Sequence, residues 1–391
     1  MFYTCAAPFT SCRMRERMNA EVSTTEHSRN EARLKLACLA LITLAGLVVG
    51  WNKGQLPRRD PIALAAAGDT APDLALYHAI VADVRGGRDY YDAAHERIQQ
   101  FGFPISSPFN WRLPTYAWLF SLLPNKCWIQ AVLLLLGAAG LVLTFAAERS
   151  TSNIAQAAVA TLFMFGIFRW VLDGDAYLAQ EVWAGVLIMI SVAALRFEAW
   201  RWRLLAALAG IAALMFRELA LPYCLAVGGL ALWQRRYWEA ALWAKGLVAF
   251  GCLLAWHVYA VRGELVEHGH ATTGGAGLAQ WIRCGGLDFV LLTVRMNSLV
   301  FHWPASLLWV YLFVALLGLA QRSDSASRTC CLAALLYLLA FGVAGRPENF
   351  YWGLLYAPLL PAGLAAGMLA VRQWWIASLS AENPITNADP A

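Results

Sequence analysis

Charge is what this chain has least of. Asp, Glu, Lys and Arg make up 14% of its 391 residues, where a soluble domain carries about 25%. Lysine is the scarcest of the four, with 4 against 26 Arg. A soluble fold needs a charged skin, and this chain has too little to cover itself. Its nine cysteines contain no CxxC pair, so neither a zinc-ribbon spacing nor a disulfide framework is present. Cys38, Cys127, Cys224, Cys252, Cys330 and Cys331 lie in or beside apolar runs, where a free thiol behaves as a small hydrophobe. The basic residues stand singly and form no stripe, which excludes nucleic acid as a partner. No small-residue cleavage site follows the first uncharged run, and no internal repeat relates the two halves.

What is present is apolar. Residues of the AVILMFWYC set reach 60%, against about 45–50% in a soluble domain. The surplus must face something other than water, and a bilayer is the natural solvent for it. The first uncharged run, Leu36 to Asn52, reads as an uncleaved signal anchor behind a polar tail of residues 1–33 rich in Arg. Residues 53–110 form the longest polar stretch. Further apolar runs follow at 127–147, 150–168, 176–195, 204–216, 219–234, 246–261, 296–321, 329–345 and 349–371.

Crossing the hydrocarbon takes about 20 apolar residues, with some spread for tilt. The positive-inside rule places the connections with Arg196, Arg201 and Arg203, with Arg235, Arg236 and Lys245, and with Arg322 and Arg328 on the cytoplasmic side, together with Arg372. The expected architecture is an all-α polytopic membrane protein. It has about ten transmembrane helices over residues 34–375, with 111–124 re-entrant or interfacial. Both termini are cytoplasmic, and 376–391 is a second tail. The outer side then holds the first loop, 53–110, and a second, 262–295.

Several polar residues gather on that outer side, where ionisable groups at membrane level mark sites. In PDLALYHAIVADVRGG, residues 72–87, Asp73 and Tyr77 fall one helical turn apart, Pro72 stands before them, and Gly86-Gly87 ends the helix. Asp73 is either a helix cap or a functional carboxylate. Arg217-Glu218 joins two short apolar runs, either as an interfacial turn or as an anion site. Asp173 and Asp175 in VLDGDAY, followed by Gln180-Glu181, could bind an acceptor or a divalent cation, and a solvated turn around Gly174 explains them equally well. His268 and His270 flank Gly269 in a glycine-containing loop, without the further ligands a metal site needs. His257 and His302 lie in apolar runs and read as packed side chains.

The order Asp73-x3-Tyr77, Gly86-Gly87, Tyr90-Tyr91 after a signal anchor resembles the opening of the polytopic GT-C glycosyltransferases. Two later segments resemble the same family: Gly210 to Leu221 (GIAALMFRELAL), a glycine-containing helix ending in Arg, and Arg346 to Pro358 (RPENFYWGLLYAP). Asn110 to Thr115 (NWRLPT) has one proline, Pro114, where members often have two, and Leu74 stands where many have a second acid.

The resemblance implies a mannosyltransferase-like enzyme of a bacterial plasma membrane. Such an enzyme moves a hexose with inversion from a polyprenyl-phosphate donor to a glycan, lipid or protein acceptor on the outer face. It implies Asp73 as the base, and Arg217 and Arg346 on the leaving phosphate. Tyr77, Tyr90, Tyr91, Asp175, Glu218 and Tyr351 then contact acceptor or sugar, with Trp352 as a further stacking surface. The alternative is a multi-pass transporter or flippase of a lipid-linked amphiphile, and a non-catalytic membrane scaffold is a third reading.

Overall fold

The computed structural model describes residues 28–46, 48, 72–106, 108–269 and 284–379, and those residues are all-helical with no strand. Among the described residues, four helices are long and apolar enough to cross a membrane: Lys126–Thr151, Ile154–Leu172, Tyr237–Glu267 and Ser325–Val343. Three shorter apolar helices, Gln180–Ala194, Glu218–Trp233 and Ala305–Gln321, accompany them. Helix length and composition support four spans and leave the rest of the expected ten unconfirmed. At 1.5 Å per residue, the 15 residues of Gln180–Ala194 extend about 22 Å, short of a hydrocarbon core of about 30 Å.

Local chemistry starts and stops these helices. Asn125 caps Lys126–Thr151 by accepting from the amides of Cys127 and Trp128, Asn153 does so for Ile154–Phe168, and Asp324 for Ser325–Val343. Each supplies an acceptor that the first turn lacks. Gln180–Ala194 lies at the centre, with every residue buried. It packs between Trp200–Phe216, Lys126–Thr151 and the segment Pro347–Leu355. Pro361–Leu379 runs against Ala305–Gln321. There Gly318, Gly363 and Gly367 bring backbone against backbone, leaving no room for a Cβ, the small-residue packing that helices use in lipid. Outward-facing Leu135, Val142, Val248, Tyr259 and Leu339 are each about two-thirds exposed or more, a surface suited to lipid.

Several expected boundaries shift. Helix already covers 28–46, so residues 28–33 of the expected polar tail are helical, and the anchor's last residues lie outside the described ones. Trp309 Nε1 donates to Ile42 O at 3.2 Å, which joins this helix to Ala305–Gln321. The run 349–371 is not one helix. It divides into 3-10 turns at Pro347–Leu355 and Ala357–Leu359 and a helix at Pro361–Leu379, because Pro358 and Pro361 lack the amide a continuous helix needs. The last helix passes the expected boundary at 376.

The second outer loop is also smaller than expected, since Tyr237–Glu267 continues to its C-cap His268 and Gly286–Val294 is a buried helix. His270 and residues 271–283 lie outside the described residues. In 111–124 the chain forms only Pro108–Trp111 and Thr115–Ser121. Seven residues extend about 10 Å, so this segment is too short to cross.

The two ends of the bundle differ. One gathers Glu148, Arg196, Arg322 and Asp324 into a network, with Arg196 Nε 2.6 Å and Arg322 Nη1 3.0 Å from the two Glu148 oxygens. Arg196 and Arg322 both reach Asp324. Next to it, Arg236 pairs with Glu239 at 2.8 Å. Arg196, Arg203 and Arg322, from the clusters taken as topological signals, thus pair with acids from other helices. The opposite end holds the first-loop helices and the residues expected to act.

Candidate functional site

Pro72–Arg85 forms the expected helix, and Gly87 ends it at φ +92, a conformation open to glycine. Arg85 donates to Phe120 O at 2.9 Å, while Asp83 receives Arg97 through Nε and Nη2 at 2.7 and 3.0 Å. Arg88 binds Asp83 and Glu96. The helix's basic neighbours are therefore engaged elsewhere, and Asp73 is left to face the bundle.

Arg112 meets it there. Its Nε donates to the Tyr77 hydroxyl at 2.9 Å, and its guanidinium lies 6.0 Å from the Tyr77 ring centre. The backbone at Arg112 has φ +61, rare for a residue with a side chain. Tyr90 holds that turn, its hydroxyl donating to Trp111 O and lying 3.1 Å from Arg112 O. Trp111 Nε1 anchors the same turn to Ile105 O at 2.8 Å.

Arg217 and Glu181 supply the opposite wall. The helix Trp200–Phe216 stops at Arg217, which leaves helical geometry at φ −146 and ψ 114 before the turn Glu218–Ala220. Arg217 is buried, with Nε 2.7 Å from Glu181 Oε1 and Nη1 2.8 Å from Glu218 Oε1. Beside Glu181, the Gln180 amide is fully buried, and neither its oxygen nor its nitrogen has a hydrogen-bond partner among the described residues. Polar groups so placed are rare and mark a site for a water or ligand. Trp183 and Phe216 stack at 5.2 Å behind this pair.

Tyr351 completes the group. Its segment approaches closely because Gly185 and Gly353 have no side chain. A Cβ on Gly185 would lie 2.7 Å from Leu354 O, and one on Gly353 would overlap Thr293 O.

The electrostatics tie these residues into one field. Burial is the largest influence on Asp73 and raises its carboxyl above the ordinary value, Arg112 and Arg217 pull it down, and Glu181 pushes it up. Burial likewise raises the Tyr351 hydroxyl, with Glu181 adding to the rise and Arg112 opposing it. Tyr77 is raised by burial against the pull of Arg112. Both phenols stay neutral, able to donate or accept a hydrogen bond. A cavity of about 10 Å³ lies between Arg112, Glu218, His257 and Pro108, room for about one water. His257 spans it, with Nδ1 3.1 Å from the Tyr91 hydroxyl and Nε2 3.1 Å from Pro108 O.

Asp73, Tyr77, Arg217, Glu218 and Tyr351 are thus brought together. Tyr90 and Tyr91 are not available as sugar platforms. Their rings are buried at 1% and 5% exposure, and their hydroxyls are committed to the Trp111–Arg112 turn and to His257. Tyr77, at 6% exposure, offers its hydroxyl and not its ring face. Asp175 is exposed on the turn at Gly174, and Asp173 pairs with Arg169, an arrangement that matches the solvated-turn reading of this pair. Arg346 stands at the N-terminal edge of Pro347–Leu355, on the segment that carries Tyr351. Trp352 is buried.

Sequence reasoning missed Arg112 and left Glu181 in a different group. A lone cation inside the short apolar segment NWRLPT was the available signal for Arg112. No protein-family model, curated protein or solved structure matches this chain.

Proposed function

We propose that this chain is an integral membrane glycosyltransferase, with Asp73 as its base and Arg112 and Arg217 as its phosphate ligands. One observation carries the reading: a half-buried carboxylate, two phenols and two arginines from four segments distant in the chain converge at one end of an apolar helical bundle. Glycosyl transfer asks for this pairing of base and cations. As the acceptor oxygen bonds to the anomeric carbon, its proton passes to Asp73. The bond from that carbon to the phosphate oxygen breaks, and the lipid phosphate leaves with the electron pair, inverting the centre.

A raised carboxyl pKa makes the ionised Asp73 a stronger base. Arginine binds two phosphate oxygens at once, and Arg346, at the start of the segment that carries Tyr351, is the candidate for a third cation. Glu218, the more exposed of the two acids on Arg217, yields its place to the donor phosphate. Gln180 supplies the amide for a sugar or acceptor hydroxyl.

A groove of about 390 Å³, lined by Leu287, Val290, Leu312, Leu316, Leu335 and Leu338, gives the polyprenyl chain an apolar seat. It reaches Gly286 and Gly342, close in sequence to Arg346. The site lies on the outer face, with both termini cytoplasmic and the shorter apolar helices completing the passage through a bacterial plasma membrane.

The test is transfer of labelled sugar from polyprenyl phosphate to a glycan, lipid or protein acceptor by the full chain in lipid vesicles. Asp73→Asn is expected to lower the rate by about 10²–10⁴ with insertion unchanged, and full transfer by that variant overturns the assignment. Passage of intact lipid-linked sugar across the bilayer, with no glycoside formed, identifies a transporter instead.

A further inference from the structure

The end of the long helix Tyr237–Glu267 carries Glu264 and its C-cap His268, four residues apart and so on one face. Opposite stands His95 of Tyr90–Gln100, buried at 5% exposure. The His95 and His268 rings lie 4.1 Å apart at 28°, and Trp111 meets the His95 ring edge-on at 5.7 Å. One donor atom from each of His95, Glu264 and His268 lies within 4.8 Å of the other two. Ligands on one zinc ion, with bonds of about 2.0–2.2 Å, have donor atoms at most about 4 Å apart. The three donor atoms therefore stand within about 1 Å of a ligating separation.

We infer that His95, Glu264 and His268 form a binding site for a divalent transition-metal ion of the zinc type. Two imidazoles and one carboxylate suit zinc, and such three-ligand sites leave a fourth position for water. Burial is graded to match, from buried His95 through half-buried Glu264 to exposed His268, whose side chain is 45% exposed. That opens the fourth position to solvent.

Glu264 Oε2 is buried and receives no hydrogen bond among the described residues, and it lies 3.6 Å from His268 Nδ1. A cation gives this oxygen a closer partner than the His268 ring does. Asp92, Glu267 and Asp89 act on Glu264 with negative charge, and so favour a dication over any anion. The bound ion clamps Tyr90–Gln100 to the long helix, one end of a strip whose other end is the Tyr91–His257 contact. Through Trp111 it steadies the turn that presents Arg112. The site rests on these three side chains and stands whether or not the chain transfers sugar.

The test uses the full chain purified in detergent with a tag free of histidine, stripped by chelator and titrated with Zn²⁺ and Co²⁺. The expected result is one Zn²⁺ per chain by elemental analysis, and visible Co²⁺ bands of a four-coordinate N/O site. H95A, E264Q and H268A are each expected to lower affinity at least about tenfold, while H302A leaves it unchanged. His268 is exposed, so H268A tests the site without opening the core. Binding well below one equivalent in the wild-type chain overturns the site. So does one equivalent whose affinity is unaffected by all three substitutions.

Discussion

Arg112 and Tyr77 meet across 35 residues of chain, guanidinium Nε to phenol oxygen at 2.9 Å. This bond joins the first-loop helix to the short segment before Thr115–Ser121, and places a cation beside Asp73. Its consequences can be measured.

The rate of transfer should fall on the acid side at a higher pH than an ordinary aspartate would give, because burial raises the Asp73 carboxyl and the base works only when deprotonated. Arg112 pulls that value down, so Arg112→Met should move the acid limb to still higher pH, while Arg112→Lys moves it less. Linkage has the same sign. A carboxyl raised by folding stabilises the fold while protonated, and that contribution is lost as pH rises through the raised value. Asp73→Asn should therefore melt at or above the wild-type temperature at pH 7. An acid limb that does not respond to Arg112→Met would refute the coupling.

Tyr90→Phe removes the donor to Trp111 O and Arg112 O and leaves those carbonyls short of a partner. The expected cost is about 1–3 kcal/mol, read as a lower melting temperature, together with slower transfer as Arg112 loses its fixed place. A sugar-stacking residue would behave differently, since Phe keeps the ring.

Gln180→Leu keeps the volume and removes an amide with no partner in the fold. Its stability should equal or exceed that of the wild type, whereas transfer should fall through a raised KM for sugar or acceptor. A large loss of stability with unchanged KM would contradict a ligand-facing role.

Glu148→Gln weakens the buried pairs with Arg196 and Arg322 at the opposite end of the bundle. Removing one partner from a buried pair costs about 3–5 kcal/mol. The melting temperature and yield should drop, while transfer per folded molecule stays the same. A selective loss of turnover in well-folded protein would place this network in the reaction.

Local signals carried far into this fold. The helix from Pro72, its end at Gly86-Gly87, the break at Arg217 and the apolar runs were all legible, because capping, glycine conformation and periodicity act within one or two turns. Charge scarcity by itself determined that the exterior is apolar. It also placed ionisable groups at helix ends, since the runs between offer them no water.

Tertiary structure alone decided who meets whom. Glu181 joins Arg217, Arg112 joins Tyr77, and His95 faces Glu264 and His268 only because helices far apart in the chain pack side by side. It also turned Tyr90 and Tyr91 from open rings into buried supports, and Arg196, Arg203 and Arg322 into paired charges. The reason is physical: a buried charge or hydroxyl is tolerable only when another group satisfies it, and that partner is chosen by packing, which spacing along one segment does not encode.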